Sequence, residues 1–347
     1  MCEHHKLPIH NSVQCIVPPH ILESMIARGS EKQKRWAMRN LHLDGQLRGE
    51  RHVQEAVFTM TPAGEKRRTI YDAGSGQTLP GKLVRGEGDP ASKDVAVNEA
   101  YDGSGYTYDF YSKIFKRNSI DDKGMRLDSS VHFGERYDNA MWNGQQMVYG
   151  DGDGETFNRF TMCLDVIGHE LTHGVTSYEA SLAYQDQPGA LNESMSDVFG
   201  SMVKQYVKKQ TVKTADWLIG QGLLKGANDV ALRSMMAPGT AYDDPVIGKD
   251  PQPDNMRNLY KGSFDNGGVH LNSGIPNKAF YLSALALSPN GRSWDKAGPI
   301  WYELLCNRLR PTSGFSDCRD MTIKAAKDLY GAAERSAVQN AWKAVGL

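Results

Sequence analysis

The chain has 347 residues, 39% of them apolar, and its 40 Lys+Arg against 41 Asp+Glu leave a formal net charge of −1. That length and composition allow a substantial core divided into lobes, and with no long charge block there is no electrostatic footprint for nucleic acid or an anionic membrane. No apolar run approaches the roughly 20 residues of a membrane span, and the five cysteines (Cys2, Cys15, Cys163, Cys306, Cys318) are scattered and odd in number, unlike a disulfide framework.

The first residues, MCEHHKLPIHNSVQC, lack the cationic start and apolar stretch of an ordinary signal peptide. Residues 1–50 stand apart, with a Pro-containing segment (Val17-Pro18-Pro19-His20-Ile21-Leu22) and then a charged helical stretch over 31–40. From 53 to 150 the signals are short alternating runs, such as 56–60 and 68–71, broken by Gly and Asp turns, which predict strands. One helix is expected over Val95–Phe115, interrupted near Asp102-Gly103, and MVYGDGDG reads as a strand running into a turn. After Leu191 helices are expected over 193–208, 273–287, 296–309, 315–330 and 334–345, with Ser316 and Gly331 as the cap and stop of one of them. The fold class is α+β: an extension (1–50), a β-rich N-terminal lobe (51–188) and a mainly α-helical C-terminal lobe (189–347), with a cleft at their junction.

The chemistry concentrates at His169-Glu170-Leu171-Thr172-His173 and at Asn192-Glu193-Ser194-Met195-Ser196-Asp197. Two histidines four apart on a helix share one face and can hold one metal ion. A catalytic zinc takes three protein ligands and keeps its fourth position for water. Glu170 adjoins the pair without belonging to it, where a base should stand, and Glu193 is far enough along for a turn and a second helix to bring it across as third ligand. Leu164, Ile167, Leu171 and Val175 form an apolar stripe offset from the histidines, so one side of this helix should pack in the core and the other face a cleft. Asp197, four residues after Glu193, is spaced to hydrogen-bond a ligand imidazole and hold its tautomer.

With these blocks the chain resembles a thermolysin-like zinc metallopeptidase, in particular the protealysin-like branch with a short propeptide. The likeness runs from about Tyr71 to the C-terminus through AMWNGQQMVYGDGDG, HELTH, AYQDQPGALNESMSD, LRSM and DNGGVHLNSGIPNKAFY. It implies a two-lobe endopeptidase with one catalytic Zn²⁺ held by His169, His173 and Glu193, and Glu170 as general base. Tyr184 and His270 match the pair that binds the oxyanion, and Asp265 the carboxylate that orients His270. Asn139 and Ala140 match positions that align the substrate backbone as an added strand, and Arg233 one that binds a substrate carbonyl beside the scissile bond. Phe157, Phe160, Val166, Ile219, Leu223 and Leu232 match or lie near the positions lining an apolar pocket for the residue after the cut. The alternatives are an inactive zinc-binding relative, against which every catalytic position is present, and an exopeptidase, for which no carboxylate cluster captures a free amino terminus.

The resemblance also implies that residues 1–50 are an inhibitory propeptide acting in cis, cut near Arg51 or a little later; a permanent structural arm is the alternative. Cys15, three residues before Pro18-Pro19, is a candidate inhibitory switch whose thiolate would take the open zinc position, with Cys2, His4, His5, His10 and His20 as other candidate ligands. Steric blockage by the Pro-Pro segment is the competing account. The family's two-calcium cluster is expected to be absent: Asp165 and Asp216 remain, but Lys204, Leu218 and Gln221 stand where relatives carry acids. The expected partners are peptide or protein substrates, without nucleic acid or membrane, for a monomer. Relatives are mostly exported, so secretion by a route without a visible signal peptide is expected, with cytoplasmic residence as the alternative.

Overall fold

A computed structural model describes residues 14–50, 65–226 and 231–347. The strand expected at 56–60, a cut near Arg51, and Cys2, His4, His5 and His10 lie outside them. A six-stranded mixed sheet forms the N-terminal lobe: β1 (Gln14–Cys15), β2 (Arg68–Asp72), β3 (Lys82–Arg85), β4 (Leu127–Val131), β5 (Ala140–Trp142) and β6 (Met147–Tyr149), in the order β1-β5-β6-β4-β2-β3. β2, β4 and β6 run parallel, while β3, β5 and β1 are antiparallel to their neighbours. One edge strand, β1, therefore comes from the N-terminal extension.

That extension continues as α1 (Pro19–Arg28) and α2 (Glu31–Glu50). Pro18 caps α1 in extended backbone, and Pro19 opens the helix where its missing N–H costs nothing. α2 lies along the loop before β5, where Asn40 donates to Asp138 at 3.0 Å, and Tyr137 and Asn139 donate to Asp44 at 2.5 and 3.2 Å.

α3 (Val95–Phe115) packs against the sheet and against α4 (Leu164–Tyr178). It runs unbroken, correcting the interruption expected near Asp102-Gly103. Gly103 serves close packing instead, since a Cβ there would stand 2.4 Å from Ile167. α5 (Asp186–Val207) crosses α4 so closely that a Cβ on Gly200 would stand 2.5 Å from the Asp165 carbonyl oxygen. α5 starts before the expected 193, so the lobe junction expected at 188/189 falls inside it. Short hairpins β7 (Leu218–Ile219) with β8 (Arg233–Ser234) and β9 (Asp243–Asp244) with β10 (Gly248–Lys249) follow.

The rest is helical: α6 (Phe264–Asn272), α7 (Gly274–Leu287), α8 (Ala297–Glu303) with a π-helical turn over Leu304–Arg308, α9 (Phe315–Leu329) and α10 (Ala332–Ala344). Ser316 lies inside α9; the helix is capped at Gly314, whose N–H reaches Asp317 at 2.9 Å. Gly331 caps the start of α10. Cys306, in the π-helical turn, and buried Cys318 are free thiols.

Three carboxylates meet where α2 joins the sheet. Asp44, Asp138 and Asp153 are all buried, and one oxygen each of Asp138 and Asp153 has no hydrogen-bond partner. Burial first, then Asp153 and Asp44, raise the Asp138 carboxyl well above its ordinary 3.8. The cations nearby are engaged elsewhere: Arg136 donates to the Asp153 carbonyl, Arg39 pairs with Glu135, and Lys32 pairs with Glu155. The folded state, in which Asn40 and Asp44 of α2 meet Asp138, therefore holds this proton more tightly than the unfolded chain. The stability it contributes is full below the ordinary carboxyl value and is lost as pH rises through the raised one, by at most about tenfold per pH unit for one proton. Hydrogen exchange of α2 amides, corrected for intrinsic rates, should speed up with pH above about 4, and Asp138→Asn should flatten that dependence.

Candidate metal centre and active site

α4 carries His169, Glu170 and His173, and the close crossing at Gly200 brings Glu193 of α5 opposite them. The two imidazole Nε2 atoms face each other at 2.9 Å. His169 Nε2 is 3.5 Å from Glu193 Oε2, and His173 Nε2 is 3.4 Å from Glu193 Oε1. The other ring nitrogens are committed: His169 Nδ1 donates to Asp197 at 2.8 Å, and His173 Nδ1 to the Asn192 side-chain oxygen at 2.9 Å. Both Nε2 atoms therefore present lone pairs to the same point, beside a Glu193 oxygen that is buried and has no partner. Three electron-pair donors converging without a proton between them fit a cation, and the two imidazoles with one carboxylate fit zinc. The Glu170 carboxylate also reaches within 4.8 Å of both imidazoles. Its Oε2 accepts the Trp142 N–H at 2.9 Å, so both carboxylates, Glu170 and Glu193, stand beside the imidazole pair.

Asp197 is the hub behind His169. Arg233 grips it with two nitrogens, each at 2.9 Å, and Asn277 of α7 donates to it at 2.8 Å. Burial alone would raise the Asp197 carboxyl, but Arg233 and His169 hold it well below the usual range. Asn192, Ser196 (3.0 Å from His173 Nδ1), Asn277 and the Trp142 N–H were not expected from the sequence. The first two sit within the Glu193 motif, whereas nothing marks Asn277 as a neighbour of a residue 80 positions away.

On the opposite wall, Asp265, Asn266, Gly267 and Gly268 all have positive φ, a left-handed turn inside α6. It directs Asp265 at His270, with Nδ1 to Oδ1 at 2.6 Å and the His270 N–H to Oδ2 at 2.9 Å. Burial lowers the His270 pKa, but Asp265 and Glu193 more than offset it and raise it to about 9, so both ring nitrogens donate at neutral pH. The Tyr184 hydroxyl donates to Glu193 and stands 3.1 Å from His270 Nε2. Burial, then Glu193, raises the phenol's pKa, which keeps it a donor, and burial, then Glu193, raises that of Glu170.

The face of α4 expected to open on a cleft is closed: His169, Glu170 and His173 are all buried. The extension covers it. Ile16 N–H donates to the Ala140 carbonyl at 3.2 Å, and Val17 N–H to the Asn139 side-chain oxygen at 3.0 Å. Arg233 uses its remaining nitrogen on the Ile16 carbonyl at 3.1 Å, and His270 Nε2 donates to the Cys15 carbonyl at 2.9 Å. Cys15, the candidate thiolate switch, does not join the group of His169, Glu170 and His173. Cys15 lies opposite Met141, and its side chain joins an apolar cluster with Met141, Val148, Leu43 and Leu47, so it is the backbone carbonyl that reaches the site. His20 is no metal ligand either: its Nε2 pairs with the Tyr242 hydroxyl at 2.7 Å, and burial lowers its pKa to about 4.

Phe157, Phe160, Val166, Ile219, Leu223 and Leu232 are buried in the same apolar cluster as Ile16 and Val17, and the rings of Phe157 and Phe160 stack. Lys204 lies between Asp165 at 2.9 Å and Asp216 at 2.7 Å, and donates to the Leu218 carbonyl at 2.6 Å. Burial would lower its pKa, but the two carboxylates raise it.

Residues 46–177 match the family model of the thermolysin metallopeptidase catalytic domain, and residues 180–347 that of its alpha-helical domain. The chain is 52% identical over 334 residues to an extracellular metalloprotease of Pectobacterium carotovorum subsp. carotovorum, covering 96% of each. It is 44% identical to a thermolysin of Alicyclobacillus acidocaldarius subsp. acidocaldarius over 80% of this chain and 50% of that protein. The solved precursor of protealysin, a metalloproteinase from Serratia proteamaculans, superposes with a TM-score of 0.89 at 51% identity, covering 96% of this chain and 99% of that one. The chain belongs to the thermolysin family of zinc metallopeptidases.

Proposed function

We propose that this chain is the precursor of a zinc endopeptidase that cuts before bulky apolar residues, and that residues 14–50 hold it inactive by lying in the cleft as a substrate would. The observation that carries this reading is the set of four backbone contacts from Cys15, Ile16 and Val17 to His270, Ala140, Arg233 and Asn139. They use the groups that would hold a peptide added as a strand. Zinc bound by His169, His173 and Glu193 would polarise the scissile carbonyl and make the attacking water more acidic. Glu170, fixed through Oε2 by the Trp142 N–H, has a buried Oε1 without a partner with which to take that water's proton and pass it to the leaving nitrogen. His270 and Tyr184 would donate to the developing oxyanion, with Asp265 keeping His270 charged. Asp197, braced by Arg233 and Asn277, would hold His169 in the tautomer that leaves Nε2 free.

Lys204 would occupy the place of a calcium pair. A single ammonium between Asp165 and Asp216 supplies one charge, whereas a calcium ion wants about six to eight oxygens. Among the described residues no helix is long and apolar enough to cross a membrane, and the extracellular relative supports secretion.

Three outcomes follow. Glu170→Gln should lower kcat on an internally quenched peptide blocked at both ends by at least ~10²-fold, with about one zinc per chain retained by elemental analysis; full activity or lost zinc would refute the role. A peptide library cut by the arm-free enzyme should favour Leu, Phe and Ile after the cut over Gly and Asp, because an apolar pocket gains about 1–3 kcal/mol per methylene; a profile dominated by charged residues would sink the pocket assignment. A calcium-selective chelator should leave the Tm nearly unchanged, whereas Lys204→Ala, which strands the buried Asp165 carboxylate beside the partly exposed Asp216, should cost about 3 kcal/mol in denaturant titration.

A further inference from the structure

The extension enters the site in one register. Reading along it, the Cys15 carbonyl is on His270, the Ile16 N–H on the Ala140 carbonyl, the Ile16 carbonyl on Arg233 and the Val17 N–H on Asn139. In the endopeptidase reading, on which this inference rests, the carbonyl facing the oxyanion donors belongs to the bond that is cut. That bond is Cys15–Ile16. The residue after it is isoleucine, a bulky apolar side chain that is fully buried. β1 pairs Gln14 with Trp142, whose N–H holds Glu170 Oε2, so the base is tethered to the strand pair that carries the bond.

We propose that the Cys15–Ile16 peptide bond is a self-cleavage site, hydrolysed in cis by the active site that it blocks. Water adds to the Cys15 carbonyl carbon, and both its protons end on the Ile16 nitrogen, the first by way of Glu170 as the C–N bond breaks and the second from the new carboxyl group. The products are a Cys15 carboxylate and an Ile16 ammonium, with no oxidation or reduction. Both ends stay anchored after the cut. Cys15 remains packed with Leu43, Leu47, Met141 and Val148, while Ile16 and Val17 remain in the core and lead through Pro18 into α1. The cut therefore leaves the extension docked, and it is an event distinct from removing the arm near residue 51.

The test uses the full-length chain, expressed without added zinc, purified with a zinc chelator, then loaded with Zn²⁺ in H₂¹⁸O and followed by intact-mass and fragment mass spectrometry. A new N-terminus at Ile16 should accumulate, with one ¹⁸O in the matching Cys15 carboxylate, at a rate independent of protein concentration. Chelated chain and Glu170→Gln should form it at least ~10²-fold more slowly. The blocked quenched peptide is assayed in parallel with the arm-free enzyme loaded with Zn²⁺ in the same way. If that peptide is cut while Cys15–Ile16 stays intact, or if the label enters only other carboxylates, the self-cleavage proposal is overturned and the endopeptidase reading stands. A rate proportional to concentration overturns the assignment in cis. If neither the peptide nor the bond is cut, the endopeptidase reading itself fails.

Discussion

The site depends on electron pairs forced to converge. His169 and His173 each have one ring nitrogen committed, to Asp197 and to Asn192, so their remaining lone pairs meet at one point with a Glu193 oxygen beside them. In water such groups would separate or take protons. Here the α4–α5 crossing, close enough that Gly200 admits no side chain, keeps them together, and a cation resolves the conflict. Much of what surrounds the centre limits the same electrostatic problem: Arg233 and Asn277 on Asp197, Asp265 on His270, and Lys204 between Asp165 and Asp216.

These charges are placed by partners on separate elements. Asp197 carries both His169 and Arg233, so the group that orients a ligand also orients the cation that holds the Ile16 carbonyl. In the proposed enzyme a displaced Asp197 would disturb metal affinity and peptide binding together, since one buried carboxylate would join the two. The extension uses the same arrangement. It satisfies the strand edge of β5 and the donors of His270 and Arg233, and its Asn40 and Asp44 meet Asp138, whose raised pKa makes the stability of the folded state sensitive to protons.

Much of the site was legible because its chemistry is local. HELTH sets two imidazoles one helical turn apart whatever surrounds them, and Asp197 follows Glu193 by one turn. Lys204 could be recognised as a misfit cation among acids, and it does lie between Asp165 and Asp216. The misreadings came where local signals compete with packing. Asp102-Gly103 looks like a helix break, yet α3 continues because Gly103 admits Ile167. Ser316 looks like a cap, yet Gly314 takes that place because Asp317 reaches its N–H.

The sequence by itself determined the histidine pair of the metal centre and the α+β class, because residue chemistry and helical spacing survive without tertiary context, and its matched blocks carried the family resemblance. Only the tertiary structure decided how the extension meets the site. Strand pleating alternates side chains, so pairing Cys15 with Met141 turns its thiol into the apolar cluster and leaves its carbonyl for His270. A shift of one residue would reverse that, and no local pattern sets the register. It is set by contacts to Asn139, Arg233 and His270, which lie more than a hundred residues away along the chain.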